Sequence, residues 1–120
     1  MLSDQAIEFR RAYNIQNSLT SRERQKRLIV EEFKEFIEAE YNMKFMEIKT
    51  RADCLKELAD LVYVCYQYAE NMNWDLDHAM VRVHESNMSK LGEDGKPIYR
   101  EDGKVLKGPN YQPPDLSDLV

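Results

Sequence analysis

Apolar residues recur at intervals of three and four through the first 91 positions, which is a helical period. Four helices account for the pattern. The first is expected over about Asp4 to Tyr13, with Ser3 as a candidate cap and Ile7, Phe9, Ala12 and Tyr13 as its apolar positions. The second covers about Arg22 to Met43, with Thr20 or Ser21 as cap. The third covers about Ala52 to Met72, with Thr50 or Asp53 near its start, and the fourth about Leu76 to Lys90, with Asp75 as cap and Leu91-Gly92 as stop. All four Gly and all four Pro lie in the last 29 residues, so a turn-rich tail (92–120) follows a helical body (1–91). Asp94-Gly95 marks one turn. Asp102-Gly103, between Pro97-Ile98-Tyr99-Arg100 and Lys104-Val105-Leu106, marks the turn of a small hairpin, and Pro109 to Val120 is extended. The prediction is a single all-α domain over 1–120, an antiparallel bundle of about four helices with a short C-terminal hairpin and extended tail.

The second and third predicted helices carry acidic residues where apolar ones are expected. At about 100° per residue, Leu28, Ile29, Val30, Phe33, Phe36, Ile37 and Ala39 fill one arc of the second helix. Glu32 falls inside that arc and Glu35 at its edge, whereas Glu31 and Glu38 fall outside it. Glu40 also lands inside the arc, near the fraying end of the helix. In the third helix, the stretch from Leu58 to Ala69 holds Asp60 as its one charged residue. Glu57 falls between Val64 and Tyr68, and Asp60 at the boundary of the apolar face. Glu32 and Glu35, like Glu57 and Asp60, are spaced i, i+3 and share a face.

Burying an ionised carboxylate without a partner costs several kcal/mol, and packing like charges together costs more. No matching set of basic residues is expected on those two faces. A hard divalent cation is the simplest remedy, and Mg²⁺ or Mn²⁺ prefers carboxylate oxygens. A di-iron bundle requires Glu-x-x-His motifs. Here the pairs are Glu-x-x-Glu and Glu-x-x-Asp, while His78 and His84 stand on the fourth helix without carboxylate spacing and read as helix-end or surface histidines. All-oxygen ligation favours Mg²⁺ over zinc or redox iron.

Charge narrows the partners. Seventeen Lys and Arg against 22 Asp and Glu give a net charge of −5, which argues against a nucleic acid polymer or an anionic membrane surface as partner. No run is long and apolar enough to span a bilayer, and MLSDQAIEFRR has no signal-peptide core. Cys54 and Cys65, eleven residues apart in one predicted helix, are too far apart to bridge and read as buried thiols of a cytoplasmic protein.

Glu31-Glu32-x-x-Glu35, 21 intervening residues and Glu57-x-x-Asp60 resemble the EExxE…ExxD signature of the all-α nucleoside triphosphate pyrophosphohydrolases. That MazG-like superfamily includes dimeric dUTPases, dCTP pyrophosphatases and phosphoribosyl-ATP pyrophosphohydrolases. The tail SNMSKLGEDGKPIYREDGKVLKGPNYQPPDL is similar to that of small MazG-like proteins of bacteria and phages, so the resemblance runs from about Arg22 onward. It implies metal ligation by Glu32, Glu35, Glu57 and Asp60 and activation of water by Glu31. It also implies nucleotide contact by Asn87 and Lys90, residues that otherwise read as an ordinary polar helix end, where Lys suits the helix dipole. The implied reaction is Mg²⁺-dependent attack of water on the α-phosphorus of a nucleoside triphosphate (dNTPs foremost), giving monophosphate and pyrophosphate. Phosphoribosyl-ATP is the alternative substrate, and a non-catalytic helical adaptor the alternative of another class. Lys96, Arg100, Lys104 and Lys107 are further phosphate-clamp candidates. Phe9, Tyr13, Tyr63, Tyr66, Tyr68 and Trp74 are aromatics that either stack on a base or fill the core. The third helix is apolar around most of its circumference, which predicts a homodimer or homotetramer, as the resemblance does. Base and sugar preference, the number of ions and the choice between two and four subunits are not legible.

Overall fold

A computed structural model describes residues 1–120. It is all-helical, with α1 over Leu2–Ala12, α2 over Arg22–Tyr41, α3 over Ile48–Asn71 and α4 over Leu76–Met88. Short 3₁₀ turns lie at Leu19–Ser21 and Ser117–Leu119. The chain forms two compact units, Met1–Trp74 and Asp75–Val120. No helix is long and apolar enough to cross a membrane.

In the first unit, α2 and α3 form an antiparallel hairpin and α1 packs on α3. Ser21 at the start of α2 donates its hydroxyl to Asn71 Oδ1 at the end of α3, at 2.5 Å. Glu35 and Glu57 meet near the other end. These two meetings define one register, in which Gln25 faces Gln67 and Glu32 faces Asp60. α1 and α3 stop alike: Asn14 and Asn73 adopt positive φ (54° and 59°), and the next amides reach back, Ile15 to Arg10 O and Trp74 to Ala69 O. Asn tolerates this left-handed conformation, which closes a Schellman-type end.

The starts of α1 and α3 depart from expectation, whereas those of α2 and α4 do not. Met1, not Ser3, precedes α1. Ser21 holds the N-cap position of α2 without a side-chain cap bond; Ser18 Oγ instead accepts from the Ser21 amide. α3 begins earlier than its apolar pattern, because Thr50 Oγ1 accepts from the Lys44 amide and donates to the Lys44 and Glu47 carbonyls, ordering the loop ahead of the helix. Asp75 caps α4 as expected, accepting from the His78 amide at 3.0 Å. α4 stops at Met88 rather than at Leu91-Gly92.

The second unit is α4 with the tail folded along it. Ser86 Oγ donates to Gln112 O at 2.7 Å, Arg82 pairs with Asp118 and donates to Asp115 O, and the Asp75 amide donates to Leu119 O. The hairpin at Asp102-Gly103 forms as a single antiparallel bridge, Tyr99 to Val105, rather than as full strands. Gly103 has φ +88°, which its turn requires. Gly108 donates to Lys90 O, and a Cβ there would lie 2.3 Å from Leu91 O, so only glycine fits.

The core of the described chain is small. Ala6, Cys54 and Ala69 are its buried apolar residues, while Val30, Phe33, Ile37, Leu55, Leu58 and Val62 stay exposed. Only half of the apolar arc of α2 therefore meets α3. Cys65 is half-buried rather than buried, and burial still pushes its thiol pKa up. Both cysteines are free thiols.

Candidate metal and nucleotide site

Gln25 and Glu32, seven positions apart on α2, and Asp60 and Gln67, seven apart on α3, bring two kinds of polar residue onto the facing sides of the two helices. Glu32 and Glu35 come from one helix and Glu57 from the other. One carboxylate oxygen of each lies within 4.8 Å of the others. Glu32 Oε2 and Glu57 Oε2 are buried and have no hydrogen-bond partner. The Glu32 carboxyl is pushed up to about 7, first by desolvation and then by Glu35, Asp60 and Glu57. Asp60 stands outside the three-carboxylate set but close enough to act on Glu32. Glu31 is exposed on α2, one residue before Glu32.

No matching set of basic residues lines these faces, but one lysine rooted beside them, Lys56, pairs with two of the carboxylates. Its ammonium lies 2.7 Å from Asp60 Oδ2 and 3.5 Å from Glu57 Oε1. The hydrogen bond to Asp60, and the charges of Asp60 and Glu57, hold that ammonium above its ordinary pKa. It is the one basic side chain paired with any of the four carboxylates. Its signal in the sequence is the i, i+4 spacing of Lys56 and Asp60, easily passed over because Lys56 lies off the apolar face. A cleft of about 480 Å³, lined in part by Glu35, Glu38, Asn42, Lys56 and Glu57, opens beside the cluster.

Asn87 and Lys90 belong to the second unit. Asn87 is exposed in the last turn of α4 and its carbonyl accepts from the Lys90 amide; the Lys90 carbonyl accepts from Gly108. His78 is exposed and paired with Asp75, with Nδ1 at 2.6 Å from Oδ2, and His84 is exposed. Of the aromatics, Phe9 stacks obliquely on Tyr13 and edge-on against Tyr63, and Tyr68 meets Trp74 edge-on. In the tail, Lys107 lies over the Tyr111 ring and Arg100 pairs with Asp102, so neither is an idle cation.

The donor set suits a hard cation: oxygen donors from two helices, two of them unpartnered, with no nitrogen or sulfur among them. Fold and site thus define an all-α protein whose central helical hairpin gathers carboxylates around one point. Residues 4–87 match the phosphoribosyl-ATP pyrophosphohydrolase family, and the chain belongs to that family, within the MazG-like all-α nucleoside triphosphate pyrophosphohydrolases. No curated protein matches the chain. Family membership makes it a pyrophosphohydrolase of nucleotide substrates. The family is typically divalent-metal dependent, in keeping with the acidic cluster.

Proposed function

We propose that the chain hydrolyses nucleoside triphosphates, deoxynucleotides foremost, at the α-phosphorus, releasing the monophosphate and pyrophosphate with Mg²⁺ (or Mn²⁺) as cofactor. One observation carries this reading. Glu32, Glu35 and Glu57 converge within 4.8 Å and leave two buried oxygens without a partner, an arrangement that is costly unless a cation completes it. Glu32, Glu35, Glu57 and Asp60 are the proposed ligands. A divalent cation, when bound, supplies positive charge against phosphate oxygens and acidifies water. Glu31, exposed beside the cluster, accepts the proton of the attacking water. Asn87 and Lys90 contact the nucleotide, with Lys90 offsetting charge on the departing pyrophosphate.

The family match favours a second reading, phosphoribosyl-ATP as substrate. Both readings break the same α–β anhydride bond. A panel of standard deoxynucleoside and nucleoside triphosphates together with phosphoribosyl-ATP, assayed with Mg²⁺ for pyrophosphate and orthophosphate, separates them. Pyrophosphate from several triphosphates supports the first reading, and release from phosphoribosyl-ATP alone supports the second. Orthophosphate without pyrophosphate overturns both, and no hydrolysis of any kind leaves the adaptor.

Residues 1–120 are proposed to act as one domain in the cytoplasm, where Cys54 and Cys65 remain reduced. A homodimer or homotetramer is proposed as well. An apolar groove of about 380 Å³, lined in part by Leu2, Leu55, Leu58, Val62 and Tyr66, suits a second copy. Sedimentation equilibrium tests this; a monomer at micromolar concentration overturns it.

A further inference from the structure

We infer that Lys56 is an exchangeable counter-cation. It neutralises Asp60 and Glu57 while the carboxylate cluster holds no ion, yields them to an arriving divalent cation, and then presents its ammonium to the phosphates of the nucleotide. The inference rests on the proposed reading that the cluster holds a divalent cation.

The geometry has three parts. Lys56 Nζ touches Asp60 Oδ2 at 2.7 Å and Glu57 Oε1 at 3.5 Å, so it occupies the outer side of two proposed ligands. It reaches neither Glu32 nor Glu35, and the buried Oε2 atoms of Glu32 and Glu57 stay without partners. One lysine therefore offsets only part of the cluster's charge and leaves room for a cation of higher charge. Finally, the Lys56 side chain is 67% exposed, against 37% for Asp60 and 20% for Glu57. An exposed ammonium on a four-carbon stem can swing away at little cost, whereas the carboxylates are held by the helices. The cleft beside the cluster is lined by Lys56, so the swing leaves the ammonium where phosphate oxygens would lie.

Competition predicts effects of opposite sign from one substitution. Removing the lysine deletes a positive charge that an incoming cation must displace, so the metal binds more tightly. The same removal deletes a partner of the phosphates, so pyrophosphate binds more weakly. A lysine in an ordinary surface ion pair changes neither. The exposed position keeps Lys56→Gln and Lys56→Arg free of folding defects, which circular dichroism verifies.

Isothermal titration calorimetry of the full chain provides the test, first with MgCl₂ alone and then with inorganic pyrophosphate in saturating Mg²⁺. In Lys56→Gln, Mg²⁺ should bind roughly three- to tenfold more tightly than in wild type, and pyrophosphate more weakly by a similar factor. Lys56→Arg should keep both affinities near wild type. Wild-type binding of Mg²⁺ with equal or weaker affinity in Lys56→Gln, or with unchanged pyrophosphate affinity, overturns this inference alone. Absence of Mg²⁺ binding in all three proteins overturns the metal reading and this inference with it.

Discussion

The two ends of the α2–α3 hairpin bury polar groups in opposite ways. At the end near Asn71, Arg10 is only 3% exposed yet places four of its five N–H donors: Nε on Asn17 Oδ1, one terminal nitrogen on Gln67 Oε1, the other on Asn71 Oδ1 and the Gln16 carbonyl. Asn71 also accepts from Ser18 and Ser21 and donates to the Ser18 carbonyl. What is left over there, Gln25 Oε1 and Gln67 Nε2, is one acceptor and one donor. At the other end, what is left over is Glu32 Oε2 and Glu57 Oε2, two acceptors of like charge. Complementary amides can satisfy each other without outside help; two carboxylates need a shared proton or a cation. Buried polarity therefore reads as scaffold at the first end and as an invitation to a ligand at the second.

The strongest way to break this contrast is Glu57→Gln. Pyrophosphate release should fall by at least ~100-fold, since even partners outside a metal's own ligands are worth 10–100-fold. The metal-free variant should melt no lower than wild type, because a like charge has been removed. Calorimetric melting in EDTA beside a pyrophosphate assay reads both effects; a variant that keeps its activity sinks the assignment. Arg10→Met should do the reverse. It strands the Gln67 oxygen, takes one of three donors from Asn71 Oδ1, and should cost about 2–4 kcal/mol in chemical denaturation while Mg²⁺ affinity holds.

Proton linkage sharpens the comparison further. Glu32 is raised to about 7 when no ion is bound. A carboxyl whose folded pKa exceeds its unfolded value contributes stability fully present below the unfolded pKa, about 4.5, and lost as pH climbs through 7. The metal-free chain should thus melt lower at pH 8 than at pH 5.5, and millimolar Mg²⁺ should flatten or invert that slope. An EDTA-treated sample whose Tm does not decline over this range contradicts the shift. The mildest effect is expected in the second unit. Gly108→Ala forces a clash with the Leu91 carbonyl and should loosen the tail by roughly 1–3 kcal/mol, seen as faster amide exchange at Gly108 and Tyr111 with Mg²⁺ affinity unchanged.

Helix positions were legible because each of the four helices carries its own apolar stripe, and the i, i+3 pairs Glu32/Glu35 and Glu57/Asp60 could each be placed in or beside the apolar face of its own helix from the wheel alone. Lys56 escaped that reading. Helical period fixes which residues are rooted in the apolar face, whereas a long side chain rooted outside it can still lean over the face's edge. Arg10 escaped for a related reason: its partners Gln67 and Asn71 are 57 and 61 residues away, and no local period announces them. Ser21 and Asp75 hold the expected cap positions, whereas α1 and α3 start two and four residues early; at α3, the Thr50 hydroxyl bonds the Lys44 amide of the loop rather than capping the helix.

What the residues determined unaided is everything with a short period: four helices, the turn at Asp102-Gly103, and which acids share a face. Those features follow from backbone geometry repeated over a few positions. Only the tertiary structure decided which of those faces meet and in which register. It set Glu57 against Glu32 and Glu35 while leaving Asp60 to Lys56, and it brought Arg10 to acceptors on Asn17, Gln67, Gln16 and Asn71. Such pairings depend on bringing distant segments within a few ångströms, where the balance between desolvation and charge changes with every partner supplied or withheld.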